Sequence, residues 1–170
     1  FIDICVSIIK KTMNLFIVDG ITYQKLGDEY YCSQELFEEN ELFGYLSKNM
    51  YLNKENKSPY DYTIYDSDIE KSFAKSFNEN DNVKLFTKLP SWFKIDTPLG
   101  TYNPDWAVLI EKDNSEKLYF VVESKGADLG LDLRTAENAK IDCGKKHFEA
   151  IKTGINLVQS SSYKNFLEKI

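Results

Sequence analysis

The chain has 170 residues, 42% of them hydrophobic and 14% aromatic, which suits one compact domain with a small appendage. Its formal net charge of −6 is the wrong sign for an ordinary nucleic-acid binder, although a site that works with divalent cations must itself carry acidic groups. Three cysteines, Cys5, Cys32 and Cys143, form no CxxC pair and His147 is the only histidine, which speaks against a structural zinc site or a disulfide framework and fits a reducing cytoplasm.

No apolar run approaches the length that spans a membrane. Residues 1–16 are moderately apolar but carry Asp3, Lys10 and Lys11, without the basic opening or small-residue cleavage site of a signal peptide. A start at Phe1 rather than Met suggests a piece of a longer protein, so any function inferred is that of a module.

Residues 1–15 read as a short helix, or a helix followed by a strand. Asp19-Gly20 and Gly27-Asp28 are turn signals around 21–26 and 29–33, the pattern of a small hairpin. Residues 35–46 place Leu36, Phe37, Leu42, Phe43 and Leu46 at helical spacing. The polar stretch from Asn53 to Pro59 is the best linker candidate, and it divides an appendage, 1–59, from a domain at 60–170. A helix is predicted over 67–78, with Ile69, Phe73, Ala74 and Phe77 inward, and a strand over 83–89. After a turn at 97–100, two apolar runs, 106–110 and 118–122, flank the polar segment 112–116 and form a hairpin. A glycine-containing loop at 126–131 precedes a helix over 132–153, capped by Asp132 and carrying Ile141, Gly144, Phe148 and Ile151 on one stripe. A strand at 155–158 and a helix at 163–170 complete the order. It implies an α/β fold: a central mixed sheet flanked by helices, with a small N-terminal appendage.

The chemistry concentrates on the hairpin. Folding the chain back about Asn114 pairs Glu111 with Lys117 and puts Asp105 opposite Glu123, with Cβ atoms about 4.5–5.5 Å apart. Glu123 and Lys125 then share a face. Two carboxylates and a lysine at the end of nearly unbroken apolar strands need partners or a metal. A hard divalent cation, Mg²⁺ with Mn²⁺ as a substitute, suits Asp105, Glu123 and the backbone carbonyl of Ser124. Lys125 stands beside a cation-bound water, where it orients or deprotonates that water or stabilises a pentacovalent phosphate. The competing reading is a solvated cross-strand salt bridge. Paired carboxylates also serve glycosidases, but the adjacent lysine and the lack of sugar-cleft signals argue against that chemistry.

Pro104-Asp105 followed by Glu123-Ser124-Lys125 matches the PD-(D/E)xK pattern of restriction-endonuclease-like nucleases. The surrounding strings are more specific. Residues 92–100 (WFKIDTPLG), 102–107 (YNPDWA), 119–126 (YFVVESKG) and 140–148 (KIDCGKKHF) resemble the C-terminal nuclease domain of the restriction (Res) subunit of type III restriction enzymes. Val18-Asp19-Gly20-Ile21 and Gln34-Glu35-Leu36-Phe37 resemble the segment that precedes that domain. The resemblance implies a restriction-endonuclease-like core cleaving double-stranded DNA with Mg²⁺. It also implies an ATP-driven helicase-like motor in the same polypeptide and a modification (Mod) methyltransferase subunit as partner. No GxxxxGK[ST] phosphate loop occurs, so the motor is absent from this chain. Ser124 stands where relatives often have Thr, which leaves the carboxylate and the lysine intact. Another nuclease of the superfamily, resolvase- or repair-like, and a catalytically silent DNA-binding or docking domain are the alternatives.

Two further sets stand beside the triplet. Glu70 borders the inward face of its helix and is a candidate third metal ligand. It is equally the glutamate of a Ser67-Asp68-Ile69-Glu70 capping box, reaching the Ser67 N–H. Lys140, Lys145, Lys146, His147 and Lys152 form the local basic patch. Lys140, Lys146 and His147 are the candidates for holding DNA phosphates, against the alternative of a solvated helical face. A Cys143–His147 nucleophile pair carries little weight, because no third group is evident to orient the histidine.

Overall fold

The computed structural model describes residues 1–23, 48–123, 131–152 and 154–170. The hairpin expected over 21–33 and the helix expected over 35–46 fall largely or wholly on residues 24–47, outside the described residues.

Helix α1 (Ile2–Gly20) is one continuous element. Asp19-Gly20, read as a turn, lies inside its last turn, where glycine ends helices readily. Strands β1 (Met50–Leu52) and β2 (Tyr62–Ile64) pair antiparallel as a two-stranded sheet. The polar stretch 53–59 therefore joins two paired strands, and it is bonded into the fold. The Asn53 Nδ2 donates to the Tyr60 carbonyl, the Thr63 hydroxyl donates to Asn53 Oδ1, and the Phe86 N–H donates to the Lys57 carbonyl at 2.8 Å. A division after residue 59 separates two strands that pair with each other.

Helix α2 (Asp68–Glu79) is capped by the Ser67 hydroxyl, which accepts the Glu70 N–H, and it buries Phe73, Ala74 and Phe77 as its spacing predicts, whereas Ile69, expected inward with them, is exposed. Strands β3 (Val83–Lys88), β4 (Trp106–Lys112) and β5 (Ser115–Glu123) run antiparallel in sequence. Helix α3 (Leu131–Ile151) then crosses to β6 (Asn156–Ser160), which lies parallel to β5, and α4 (Tyr163–Leu167) closes the order. The sheet order β3-β4-β5-β6 is the expected mixed sheet flanked by helices. Among the described residues no helix is long and apolar enough to cross a membrane.

Alternation along the strands separates two cores. Trp106, Val108, Tyr119 and Val121 pack with Phe73 and Phe77 of α2 and Phe166 of α4. Phe120 and Leu157 face the other way, onto Ile141 and Phe148 of α3. The sheet is thus covered by α2 and α4 on one face and by α3 on the other.

The hairpin register differs from the expected one. Lys112 faces Ser115, Glu111 faces Glu116 and Ile110 faces Lys117. The turn is only Asp113-Asn114, both left-handed at φ 53° and 57°, the backbone of a two-residue type I′ turn. The attraction of Glu111 for Lys117 does not decide the pairing, because Glu111 is met from the other neighbouring strand by an ion pair with Lys84. A shift of one residue makes Val122, not Glu123, the continuation of the register opposite Asp105.

Candidate active site

Asp105 sits just before β4, between two buried residues, Pro104 and Trp106. Its N–H donates to the Val121 carbonyl at 2.9 Å, and its carbonyl accepts the Leu89 N–H at 2.8 Å. Val121's register partner is Trp106, so the Asp105 N–H bonds one residue away from Val122, its position in the continued register. The backbone of Asp105 is thereby held from both sides, and the residue is partly buried. Glu123 ends β5 two residues beyond Val121, its backbone in register with Ser160 of β6. Ser124 and Lys125 lie outside the described residues.

Asn103 organises the approach to the site. Its Nδ2 lies within bonding distance of the carbonyls of Pro90, Phe93 and Pro104, at 3.2, 2.5 and 3.1 Å, which ties the loop after β3 to the start of β4. Under this clamp opens a cavity of about 310 Å³ lined by Asp66, Glu70, Lys88, Asn103 and Asp105, with Tyr60 and Tyr62 on its outer wall. Glu70 and Asp105, far apart in sequence, therefore line one cavity.

Glu70 also caps its helix, but one residue further back than the capping-box reading predicts. Its Oε2 accepts the Asp66 N–H at 2.6 Å rather than the Ser67 N–H. The same oxygen accepts from Lys88 Nζ at 2.8 Å, and that ammonium reaches Asp66 Oδ2 at 2.9 Å. The Glu70 arm is the sheltered one: its side chain is 13% exposed against 76% for Asp66, so solvent screens the second arm far more. Burial pulls the Lys88 ammonium down, but hydrogen bonds to Glu70 and Asp66 outweigh it and raise its pKa above the ordinary lysine value. Lys88 has no signal in the sequence. It is the last residue of an unremarkable strand, and only the pairing of β3 with β4 brings it beside the acidic cavity.

The oxygen donors on this cavity are of the type a hard cation takes. Among the described residues no three His, Cys, Asp or Glu groups converge tightly enough to hold an ion by themselves. The carboxylates that line this cavity among the described residues are Asp66, Glu70 and Asp105.

Around the Asn103 clamp, a second cavity of about 300 Å³ is lined by Lys94, Thr101, Tyr102, Asn103 and Lys140. Lys140 Nζ reaches the Thr101 carbonyl at 3.4 Å and shares this second cavity with Asn103. Lys146 is engaged elsewhere. Its Nζ donates to the Val18 carbonyl at 2.5 Å and reaches that of Asp19 at 3.4 Å, satisfying carbonyls at the C-terminal end of α1. His147 packs edge-on against Tyr23, with ring centroids 5.0 Å apart, and burial lowers its pKa below the ordinary imidazole value. Cys143 is fully buried, and burial, followed by the charge of Asp142, pushes its thiol upward, the reverse of an activated nucleophile.

Comparison with known proteins gives one family and two curated relatives. The family described as "Endonuclease domain" matches residues 56–168. The Type III restriction-modification enzyme EcoPI Res subunit of Escherichia phage P1 is 28% identical over 108 residues, covering 62% of this chain and 11% of that protein. The Type III restriction-modification enzyme EcoP15I Res subunit of Escherichia coli is similar to the same extent. The chain thus spans about a tenth of the length of these relatives. No solved structure matches it.

Proposed function

Since the chain belongs to this endonuclease-domain family, we propose that it is the DNA-cleaving module of a type III restriction enzyme's Res subunit, hydrolysing phosphodiester bonds with Mg²⁺. The observation that carries the reading is the position of Asp105. It stands just before β4, within the matched segment, and lines one cavity with Glu70.

In this reading Asp105 and Glu123 hold the cation, with the Ser124 carbonyl and Glu70 as further oxygen ligands. A bound Mg²⁺, or Mn²⁺ in its place, supplies Lewis acidity that acidifies a water and offsets charge on the phosphoryl oxygens. Lys125 orients the attacking water, assists its deprotonation, or stabilises charge on the pentacovalent phosphorus. The water oxygen bonds to phosphorus as the bond to the leaving oxygen breaks in line, and the leaving oxygen takes up a proton. Lys140 and Lys94 hold phosphates beside the cut, while Lys146 and His147 act from behind by keeping α1 and α3 together. Double-stranded DNA is the substrate. The longer protein adds an ATP-driven motor and pairs with a Mod methyltransferase subunit in the cytoplasm.

Two measurements test this. Mn²⁺ titration of the chain should show binding that disappears in the Asp105→Ala, Glu123→Ala double variant; binding that survives both changes overturns the ligand assignment. DNA cleavage by the assembled enzyme should be lost in Lys125→Ala with DNA binding retained. Cleavage at the wild-type rate removes Lys125 from the chemistry.

A further inference from the structure

Lys88 brings a positive charge into a cavity whose carboxylates, on the reading above, are there to receive a cation. Its ammonium lies 2.8 Å from Glu70 Oε2, in the sheltered part of the cavity that Asp105 also lines. Its position is fixed by backbone. Lys88 pairs with Trp106 across the strands, and the next residue, Leu89, donates to the carbonyl of Asp105. Glu70 does not depend on Lys88 alone, because Oε2 also accepts the Asp66 N–H. Lys88 in turn has a second carboxylate within reach at the solvent edge, Asp66, at 2.9 Å.

We propose that Lys88 is a resident counter-cation of this cavity, competing with the divalent cation for Glu70 and so setting how tightly that cation is held. The proposal rests on the cation reading of Asp105, Glu123 and Glu70, and it makes Lys88 a positioning residue that acts through Glu70. Two cations cannot share one partly dehydrated carboxylate without repulsion, and that repulsion is strong where water screens it poorly. When the divalent cation arrives, the ammonium gives up Glu70 and keeps Asp66. Glu70 is meanwhile kept aimed into the cavity by the Asp66 N–H. A purely structural lysine, tying the turn before α2 to β3, would alter stability when removed and leave cation affinity where it was.

The test is Mn²⁺ titration of the 170-residue chain, read by the paramagnetic signal of free Mn²⁺, on wild type and on Lys88→Met, Lys88→Gln, Lys88→Arg and Asp105→Ala. The two neutral variants should bind Mn²⁺ roughly tenfold tighter, the size expected from removing one partly screened charge contact, and Lys88→Arg should return to the wild-type affinity. Neutral variants that bind no tighter than wild type, while Asp105→Ala still abolishes binding, overturn the proposal and leave the cation reading standing. Absence of any Asp105-dependent binding overturns both. A second readout needs no substitution at Lys88: its Nζ resonance in the wild-type chain should shift as Mg²⁺ saturates the site, and a signal that does not move overturns the competition even if the neutral variants fail to fold.

Discussion

The Asp105 N–H donates to the carbonyl of Val121, although Val121 is in register with Trp106. This one-residue offset at the start of β4, together with the Leu89 N–H on the Asp105 carbonyl, anchors the acidic residue by its backbone. Asp105→Asn keeps the shape and the backbone bonds and removes the charge. It should lower cleavage by the assembled enzyme by about 10²–10³-fold, the order seen when a charge-stabilising group is lost, and leave the thermal midpoint within a degree or two. A cleavage assay beside a circular-dichroism melt checks both.

The Asp113-Asn114 turn sets the hairpin register through two left-handed residues. Asn114→Gly should be neutral or mildly stabilising, since glycine adopts this conformation freely. Asn114→Val should cost about 1–2 kcal/mol, because a β-branched residue resists positive φ. Urea unfolding of the two variants measures the difference. Equal stabilities would mean that the turn does not hold the register.

Gly144 is required by its neighbour. A Cβ built there would run into the ring end and hydroxyl of Tyr102, a half-buried residue whose hydroxyl is buried against α3. Gly144→Ala should destabilise by about 1–3 kcal/mol through overpacking, despite alanine's better helix propensity. Because Tyr102 adjoins Asn103, the same variant should also weaken cleavage. Chemical denaturation and activity, measured on one preparation, separate the two effects.

His147 makes stability depend on pH in a defined sense. Burial lowers its pKa in the folded state, whereas the unfolded chain takes a proton near the ordinary value of about 6.5. The unfolded state therefore binds more protons below that value, and folding stability falls as pH drops from about 6.5 toward the folded pKa. His147→Phe keeps a ring against Tyr23 and Phe148 and cannot protonate. Its urea midpoint should change less between pH 7 and pH 5 than that of the wild type. An identical change in both would remove His147 as a cause.

Lys146→Ala takes away the side-chain donor to the last carbonyls of α1. It should cost about 1 kcal/mol, as the loss of a helix-end hydrogen bond does, and loosen α1 from α3. Lys140→Ala, by contrast, should weaken DNA binding in a salt-dependent way and barely affect stability. Faster amide exchange in α1 for the first variant, and a reduced salt slope for the second, distinguish the two lysines.

The sequence by itself determined the order of elements from α2 onward. Short apolar runs mark β3 to β5, and the stripe of Ile141, Gly144 and Phe148 marks α3, because both patterns follow from local geometry and burial. It also determined the PD-(D/E)xK triplet, which is a matter of residue identity. Only the tertiary structure decided the register and the company that the triplet's aspartate keeps. Cross-strand charge pairing predicted Glu111 opposite Lys117, yet Lys84 on β3 satisfies Glu111 and a two-residue turn sets the pairing one step away. Nothing local to Lys88 points to Glu70, since they meet only after β3 and α2 pack across the sheet. Likewise Lys146, a surface cation by composition, becomes a helix-end donor only because α1 docks on α3. Periodicity reports which face of an element is buried; which charge meets which depends on contacts between segments far apart in the chain.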